Sequence, residues 1–247
     1  MAKVLEVCVD SIESAVAAIR GGADRLELCS SLTEGGLTPT PGLLIQIQHV
    51  NHVKIPIYCM LRCRPGNFIY KPEEIEIMKD DARILRKQGA DGFVFGALTS
   101  NGEVDMKNCR EIIKASYPLP VTFHRAFDFC KRPTIEIEVI IDLGFTRLLT
   151  SGKQKTAQMG VKLIKLLKDQ VGNRLIIMAG AGITKDNVEF IIELTECKEI
   201  HGSFKKLKEK EDDSNEDTSV ILGEKSDQLY VTDENAVIEV NNIFKTI

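Results

Sequence analysis

A motif in which a glutamate precedes a cysteine by two residues occurs twice near the start of the chain. Glu6 and Cys8 lie in the first apolar run, and Glu27 and Cys29 repeat the pattern one predicted helix later. A carboxylate is costly to place in a buried strand unless a partner pairs with it. Thiolates favour soft ions such as Cu(I) over hard cations. The repeat therefore predicts a functional site, and soft-metal binding is one chemistry open to it.

Short apolar runs alternate along the chain with amphipathic segments, at the spacing of about 30 residues that βαβ units require. The runs are continuous rather than alternating, as expected of parallel strands covered on both faces. Eight such units predict an α/β fold, a single-domain (β/α)8 TIM barrel over residues 1–247. An open doubly wound sheet is the alternative, but no nucleotide fingerprint follows the first strand. The predicted strands are Val4–Val9, Arg25–Leu28, Ile55–Met60, Gly92–Phe95, Pro120–Phe123, Arg147–Leu149, Leu175–Met178 and Lys198–Ile200.

The alternation stops after the eighth predicted strand. Residues 205–219 form a dense charge run without apolar periodicity, which is typical of a mobile charged insertion. A short hairpin is predicted over Val220–Val231. Asp233 then caps a closing helix over residues 233–246, because it precedes apolar residues at helical spacing.

Composition argues against several classes of partner. The chain has 247 residues, 43% of them hydrophobic and 28% charged, with a formal net charge of -4. This balance argues against nucleic-acid and anionic-membrane partners, and no apolar run approaches the ~20 residues of a membrane span. Seven cysteines without a Cys-x-x-Cys pair are typical of reduced thiols. With no secretory signal at the start, we expect a cytoplasmic protein, which could also be nuclear.

The first hypothesis for the site is a soft-metal centre. The strands' carboxyl ends build the site in such barrels, and adjacent strands lie about 4.8 Å apart. The thiols of Cys8 and Cys29 could therefore reach one ion. Barrel shear can set equal sequence offsets at different heights, so two buried core thiols, or an incidental disulfide, remain the alternative.

The second hypothesis is an enzyme that acts on a small anionic compound bearing a phosphate or a carboxylate. Glu27 would be the general base, His124 its acid–base partner, and arginines would clamp the anion. The loops after strands six to eight would cradle a phosphate. Alternatively, the glycines only turn the chain, and the arginines only neutralise Glu6 and Glu27. The catalytic candidates are Glu27, His124, Arg62 and Arg125; the anion-binding candidates are Arg64, Ser151, Gly152, Gly180, Gly182, His201 and Ser203.

Several longer strings closely resemble the copper homeostasis protein CutC family. The resemblance extends from the first strand to about Ser203, and the segment Val231–Asp233 looks related too. The matching strings are EVCVDS at Glu6–Ser11, GGADRLELCS at Gly21–Ser30, EGGLTPT at Glu34–Thr40, VFGALT at Val94–Thr99, TFHRAFD at Thr122–Asp128, LLTSG at Leu148–Gly152 and GITKDN at Gly182–Asn187.

The resemblance implies a (β/α)8 barrel, a homo-oligomer and a role in cytosolic copper handling. It also implies that Cys8 and Cys29 are copper ligands, since this sequence keeps both family cysteines. Two segments depart from the family pattern. The string after the third strand keeps both arginines but introduces Cys63, with Cys59 four residues before it. An arginine expected after the eighth strand is replaced by Lys205, which weakens the phosphate-cradle hypothesis more than the thiol one.

Overall fold

Eight parallel strands hydrogen-bond in chain order and close into a barrel, with β1 paired to β8. This computed structural model describes residues 2–208 and 229–247. The prediction of a (β/α)8 barrel is confirmed. The barrel strands are β1 Val4–Val9, β2 Arg25–Leu28, β3 Ile57–Met60, β4 Gly92–Phe95, β5 Val121–Phe123, β6 Arg147–Thr150, β7 Ile176–Gly180 and β8 Glu199–Gly202. The helices are α1 Ile12–Arg20, α2 Pro41–Val50, α3 Pro72–Lys87, α4 Met106–Ser116, α5 Pro133–Leu143, α6 Val161–Val171, α7 Val188–Thr195 and α8 Glu234–Thr246.

Local sequence signals set the helix boundaries. The Ser11 side chain caps α1 by accepting a hydrogen bond from the Ser14 amide. Proline occupies the first turn of α2, α3 and α5, where its missing N–H costs nothing. Gly144 ends α5 in the left-handed region, with φ at +90°, which favours glycine. These helices pack an aliphatic layer against the outer face of the barrel.

The register between β1 and its neighbours decides where the doubled motif lies. Glu6 is level with Arg25 on β2 and with His201 on β8, whereas Cys8 is level with Glu27. The two copies of the motif are therefore offset by two residues. Such a stagger follows from the tilt of strands in a closed barrel. Cys29 consequently lies two residues nearer the carboxyl end of the strands than Cys8 does.

The lower half of the barrel interior holds a buried network of charged side chains. The Arg25 guanidinium pairs with Glu6 and, at 2.5 Å, with Glu199. Arg147 donates two hydrogen bonds to the same Glu199 carboxylate, at 2.5 and 3.0 Å. Both guanidinium groups lie over the Tyr58 ring, at 5.0 and 5.5 Å from its centroid. The network, which includes Glu6, fills the amino-terminal end of the barrel interior below Cys8 and Glu27.

A two-stranded antiparallel ribbon follows β8. It pairs β9, Lys205–Leu207, with β10, Tyr230–Thr232, just before Asp233 caps α8. The first residues of the predicted charged insertion are thus extended and paired, which a charge run without apolar periodicity does not reveal. Residues 209–219 of that insertion, and most of the predicted hairpin, lie outside the described residues. Within the described ranges, every helix is too short or too polar to cross a bilayer.

Candidate functional site

A cavity of about 240 Å³ opens at the carboxyl ends of the strands. Residues of β1, β2, β3, β6 and β8 and of the loops after the strands form its walls, which is where this fold places its sites. Of the residues singled out from the sequence, those that line it are Cys8, Glu27, Arg62, His124, Arg125, Gly182, His201 and Ser203.

Three buried side chains at the base of the cavity converge on one point. A ligand atom from each of Cys8, Glu27 and His201 lies within 4.8 Å of the others. Behind them, Nδ1 of His201 hydrogen-bonds Oε1 of Glu6 at 2.8 Å, while Nε2 lies 3.6 Å from Oε2 of Glu27. One ring nitrogen is thus occupied by a carboxylate, and the other faces the cluster.

Burial and neighbouring charges fix the ionisation of this cluster. Burial raises the pKa of Glu6, but the Arg25 guanidinium and His201 outweigh burial and hold that pKa at about 2. Burial raises the pKa of Glu27 to about 7, although His201 opposes the shift. Burial lowers the pKa of His201, but Glu27, Cys8 and Glu6 together raise it well above its usual range. The two carboxyl groups beside it therefore favour the protonated form of the imidazole.

Cys29 lies beside this cluster rather than in it. Its Sγ is 3.7 Å from Oε2 of Glu27, and its side chain packs with Tyr58, Met60 and Val94 inside the barrel. The side chain is fully buried and does not line the cavity. The sequence predicts that both thiols could reach one ion, although barrel shear can set them at different heights. The two-residue offset between β1 and β2 instead puts Glu27 level with Cys8.

Arg62 forms a second wall of the cavity. Its NH1 donates to the carbonyls of Glu34 and Gly36, at 2.7 and 3.1 Å, and its NH2 donates to that of Gly66 at 3.0 Å. Its Nε–H is buried and has no hydrogen-bond partner in the described part of the chain. Three backbone carbonyls therefore hold the guanidinium in place and leave two of its five N–H groups unused, one of them on Nε.

His124 stands on the same wall, in an aromatic setting of Phe68, Phe95 and Phe123. The Ala126 amide donates to its Nδ1 at 3.3 Å, so the neutral ring carries its proton on Nε2. That Nε2–H is buried and, among the described residues, unpartnered. Burial, with the nearby Arg62 charge, lowers the pKa of His124 to about 3, so the ring is neutral at physiological pH.

The depressed pKa of His124 predicts a pH dependence of stability. The unfolded chain protonates this residue near its ordinary pKa of 6.5, and the folded chain only near 3. Below pH 6.5 the unfolded state therefore binds a proton on His124 that the folded state does not bind. The free energy of unfolding consequently decreases as the pH is lowered. Wild type should lose about 2 kcal/mol from pH 7 to pH 5, relative to the His124→Asn variant. Urea titrations of both proteins at several pH values measure this difference. The same change in the free energy of unfolding with pH in both proteins would contradict the prediction.

Arg125 reaches the cavity from the turn after β5. Its Nε donates to Asp128 at 2.9 Å and its NH2 to the Ser151 hydroxyl at 3.0 Å. The Ser151 hydroxyl in turn contacts Asp128 and the carbonyl of Gln154, at 2.9 and 2.6 Å. Ser151 is fully buried, so its hydroxyl supports Arg125 and does not point at a ligand.

Three residues of the expected anion cradle lie elsewhere. The Arg64 guanidinium pairs with Glu74 and donates to the Ile69 carbonyl at 2.8 Å, outside the barrel mouth. Gly152 turns the chain at φ +66°, and Gly180 packs against Leu149 at the end of β7. Gly182 and Ser203 line the cavity, but the expected ring of glycine amides is incomplete.

The sequence analysis missed the partners of the buried acids. Glu6 pairs with Arg25 and not with the arginines after the third strand. Strand alternation could have indicated this, since Arg25 is two residues before Glu27 and Glu199 two before His201. All four therefore share the inner face of the barrel. Phe68, which packs on the cavity wall, carries no such signal because it lies in a loop.

Comparison with known proteins gives consistent matches over most of the chain. A family model described as the CutC family matches residues 3–206. The chain is 45% identical to the human copper homeostasis protein cutC homolog over 251 residues, covering 99% of this chain and 90% of the human one. A family protein CutC of Histophilus somni is 41% identical, with 98% and 99% of the two chains covered.

A solved structure shares the fold. The crystal structure of a candidate copper homeostasis protein CutC from Streptococcus agalactiae superposes with a TM-score of 0.77 at 32% identity. The match covers 81% of this chain and 98% of the bacterial one.

Proposed function

The chain belongs to the CutC family, and from this membership we propose that it is a copper homeostasis protein that binds Cu(I) at the mouth of its barrel. Relatives that match nearly the whole chain carry copper homeostasis in their names. Cys8 is the first proposed ligand, because thiolate sulfur is a preferred donor for Cu(I). Reduced thiols require a reducing compartment, so the proposed location is the cytoplasm or the nucleus.

One observation carries this proposal: the hydrogen bond between Glu6 and His201 behind the Cys8 thiol. Metal-binding histidines commonly donate one ring N–H to a carboxylate, which orients the other nitrogen toward the ion. Here Glu6 bonds Nδ1 at 2.8 Å, and Nε2 faces the same space as Cys8. Cys8 and His201 therefore supply a sulfur and a nitrogen donor, a set that suits Cu(I).

Cys29 is the proposed third ligand. The Glu27 carboxylate, itself a member of the cluster, lies near both Cys29 and His201, since Oε2 is 3.7 Å from the Cys29 sulfur and 3.6 Å from Nε2 of His201. An ion bound first by Cys8 and His201 would therefore gain Cys29 only when the Glu27 carboxylate turns aside. Two thiolates and one imidazole would then surround the ion.

Cu(I) binding by the whole protein tests the proposal. We expect one equivalent of Cu(I) per chain in a titration against a competing chelator under reducing conditions. X-ray absorption of the loaded protein should show sulfur and nitrogen neighbours together, because Cys8 and His201 share the ion. An all-oxygen shell, or an affinity no higher than that of free glutathione, would refute the proposed site.

A second candidate function is catalysis on a small anionic compound, with Glu27 as general base. The observation that favours it is Oε1 of Glu27, which is buried and lacks a partner within the described residues. A carboxyl group with a pKa of about 7 suits proton transfer near neutral pH. His124 and Arg125 line the same cavity, where they would contact the substrate. Turnover of small acids by wild type but not by the Glu27→Gln variant would support this function.

A further inference from the structure

We propose that Arg62 and His124 together bind the carboxylate of a small organic acid in the barrel mouth. This carboxylate site is distinct from the copper ligands, since neither residue belongs to the Cys8, Glu27 and His201 cluster. It requires no copper. The proposal specifies the ligand for the second candidate function, a small organic acid. Binding of the acid does not depend on that function, but any reaction of the bound acid does.

Arg62 is a buried cation that has no counter-ion within residues 2–208 and 229–247. The side chain is about 5% exposed, and no carboxylate of the described residues pairs with it. The other two buried arginines of the barrel, Arg25 and Arg147, both pair with Glu199. An unpaired buried charge is costly. Arg62 therefore has the charge, and a fixed orientation, with which to receive an anion.

The unused donors of Arg62 belong to Nε and NH2, the two nitrogens that form one edge of its guanidinium. A guanidinium has five N–H groups, and three of them are taken by backbone carbonyls. The Nε–H and one N–H of NH2 remain. A planar carboxylate accepts two parallel hydrogen bonds from such an edge.

His124 supplies a further donor to the same ligand. Its tautomer is set by the Ala126 amide, so Nε2 carries a proton that meets no acceptor among the described residues. Both His124 and Arg62 line the cavity, and both pack on the Phe68 ring, at 4.9 and 5.2 Å. Their shared contact with Phe68 puts the two side chains on one stretch of the cavity wall, and we propose that one ligand accepts from both.

The number of donors favours a carboxylate over a phosphate. Two N–H groups of Arg62 and one of His124 match the two oxygens of a carboxylate. A phosphate has three strong acceptor oxygens and more charge, and the loop amides expected to cradle it are not assembled here. Glu27 faces the cavity too, and its charge would oppose a dianion more strongly than a monoanion. The volume of about 240 Å³ limits the ligand to a small molecule.

Acetate is the probe for the test, with copper-free protein and NMR detection of imidazole N–H signals. We expect saturable binding in the millimolar range and a shift of the His124 Nε2–H signal. Two variants separate the roles of the ring nitrogens. His124→Asn keeps an acceptor for the Ala126 amide but lacks the cavity donor. His124→Gln can place an amide N–H near the position of Nε2.

His124→Asn should weaken acetate binding about tenfold, as expected for one lost hydrogen bond to a charged group. His124→Gln should stay within about threefold of wild type. Equal affinity in all three proteins, no saturation in wild type, or tighter binding of inorganic phosphate than of acetate would overturn the inference. If a variant does not fold, the wild-type protein alone decides: a saturable shift of its His124 Nε2–H signal with acetate supports the inference, and no shift overturns it. Failure of the copper titration would leave this result unaffected, because the acetate experiment contains no copper.

Discussion

Replacing Cys8 by serine is expected to lower the affinity for Cu(I) by more than the roughly 10- to 100-fold that loss of an outer-shell partner costs. The hydroxyl keeps the size of the side chain but removes the soft donor, which leaves His201 as the remaining strong ligand of the proposed pair. Competition with a Cu(I) chelator of known affinity measures the change.

Two matched variants show whether the loss belongs to the site. Cys59→Ser also replaces a buried thiol, but this residue packs in the layer between barrel and helices, so its copper affinity should equal that of wild type. Cys29→Ser should have a smaller effect than Cys8→Ser, about tenfold, because Cys29 lies outside the cluster, beside Glu27. An unchanged affinity in Cys8→Ser would exclude the proposed site, whatever Cys29 does.

Glu199→Gln is expected to lower the free energy of unfolding by about 3–5 kcal/mol. The Glu199 carboxylate is about 5% exposed and pairs with both Arg25 and Arg147. An amide cannot neutralise either guanidinium. Arg25 would keep Glu6, but Arg147 would be a buried cation without a partner charge. Urea or thermal unfolding measures the difference.

The control for this prediction is an ion pair on the surface. Glu138 pairs with Arg174 at 2.5 Å, and both side chains are exposed to solvent. Glu138→Gln should change the free energy of unfolding little, since solvent screens exposed pairs. If Glu199→Gln were as mild as Glu138→Gln, the buried network would not be a main source of barrel stability.

The fold could be predicted from the sequence because its signals are local. Apolar runs such as Val4–Val9 and Gly92–Phe95 match strands β1 and β4 residue for residue. Ser11 and Gly144 mark helix ends through side-chain capping and a left-handed backbone, neither of which depends on distant residues. Repetition of one unit then leaves few alternatives for the closed sheet.

The site was only partly predictable because it depends on register and on loops. That Cys8 and Glu27 share a cavity follows from strand ends, but their equal height depends on the stagger between β1 and β2. The position of Arg64, a candidate anion ligand, could not be predicted for a related reason. It follows Arg62 by two residues in a loop, where strand alternation no longer applies, and it turns outward to Glu74.

The closed floor of the barrel has a consequence for exchange of cargo. Tyr58 fills the interior between Arg25 and Arg147, and a Cβ at Gly92 would lie 2.6 Å from its ring, so little space remains there. A ligand therefore cannot pass through the barrel from one end to the other. It enters and leaves the cavity through the barrel mouth beside Phe68. If the proposed copper site is correct, the ion must enter and leave at the same end of the barrel, so loading and release cannot take place at opposite ends.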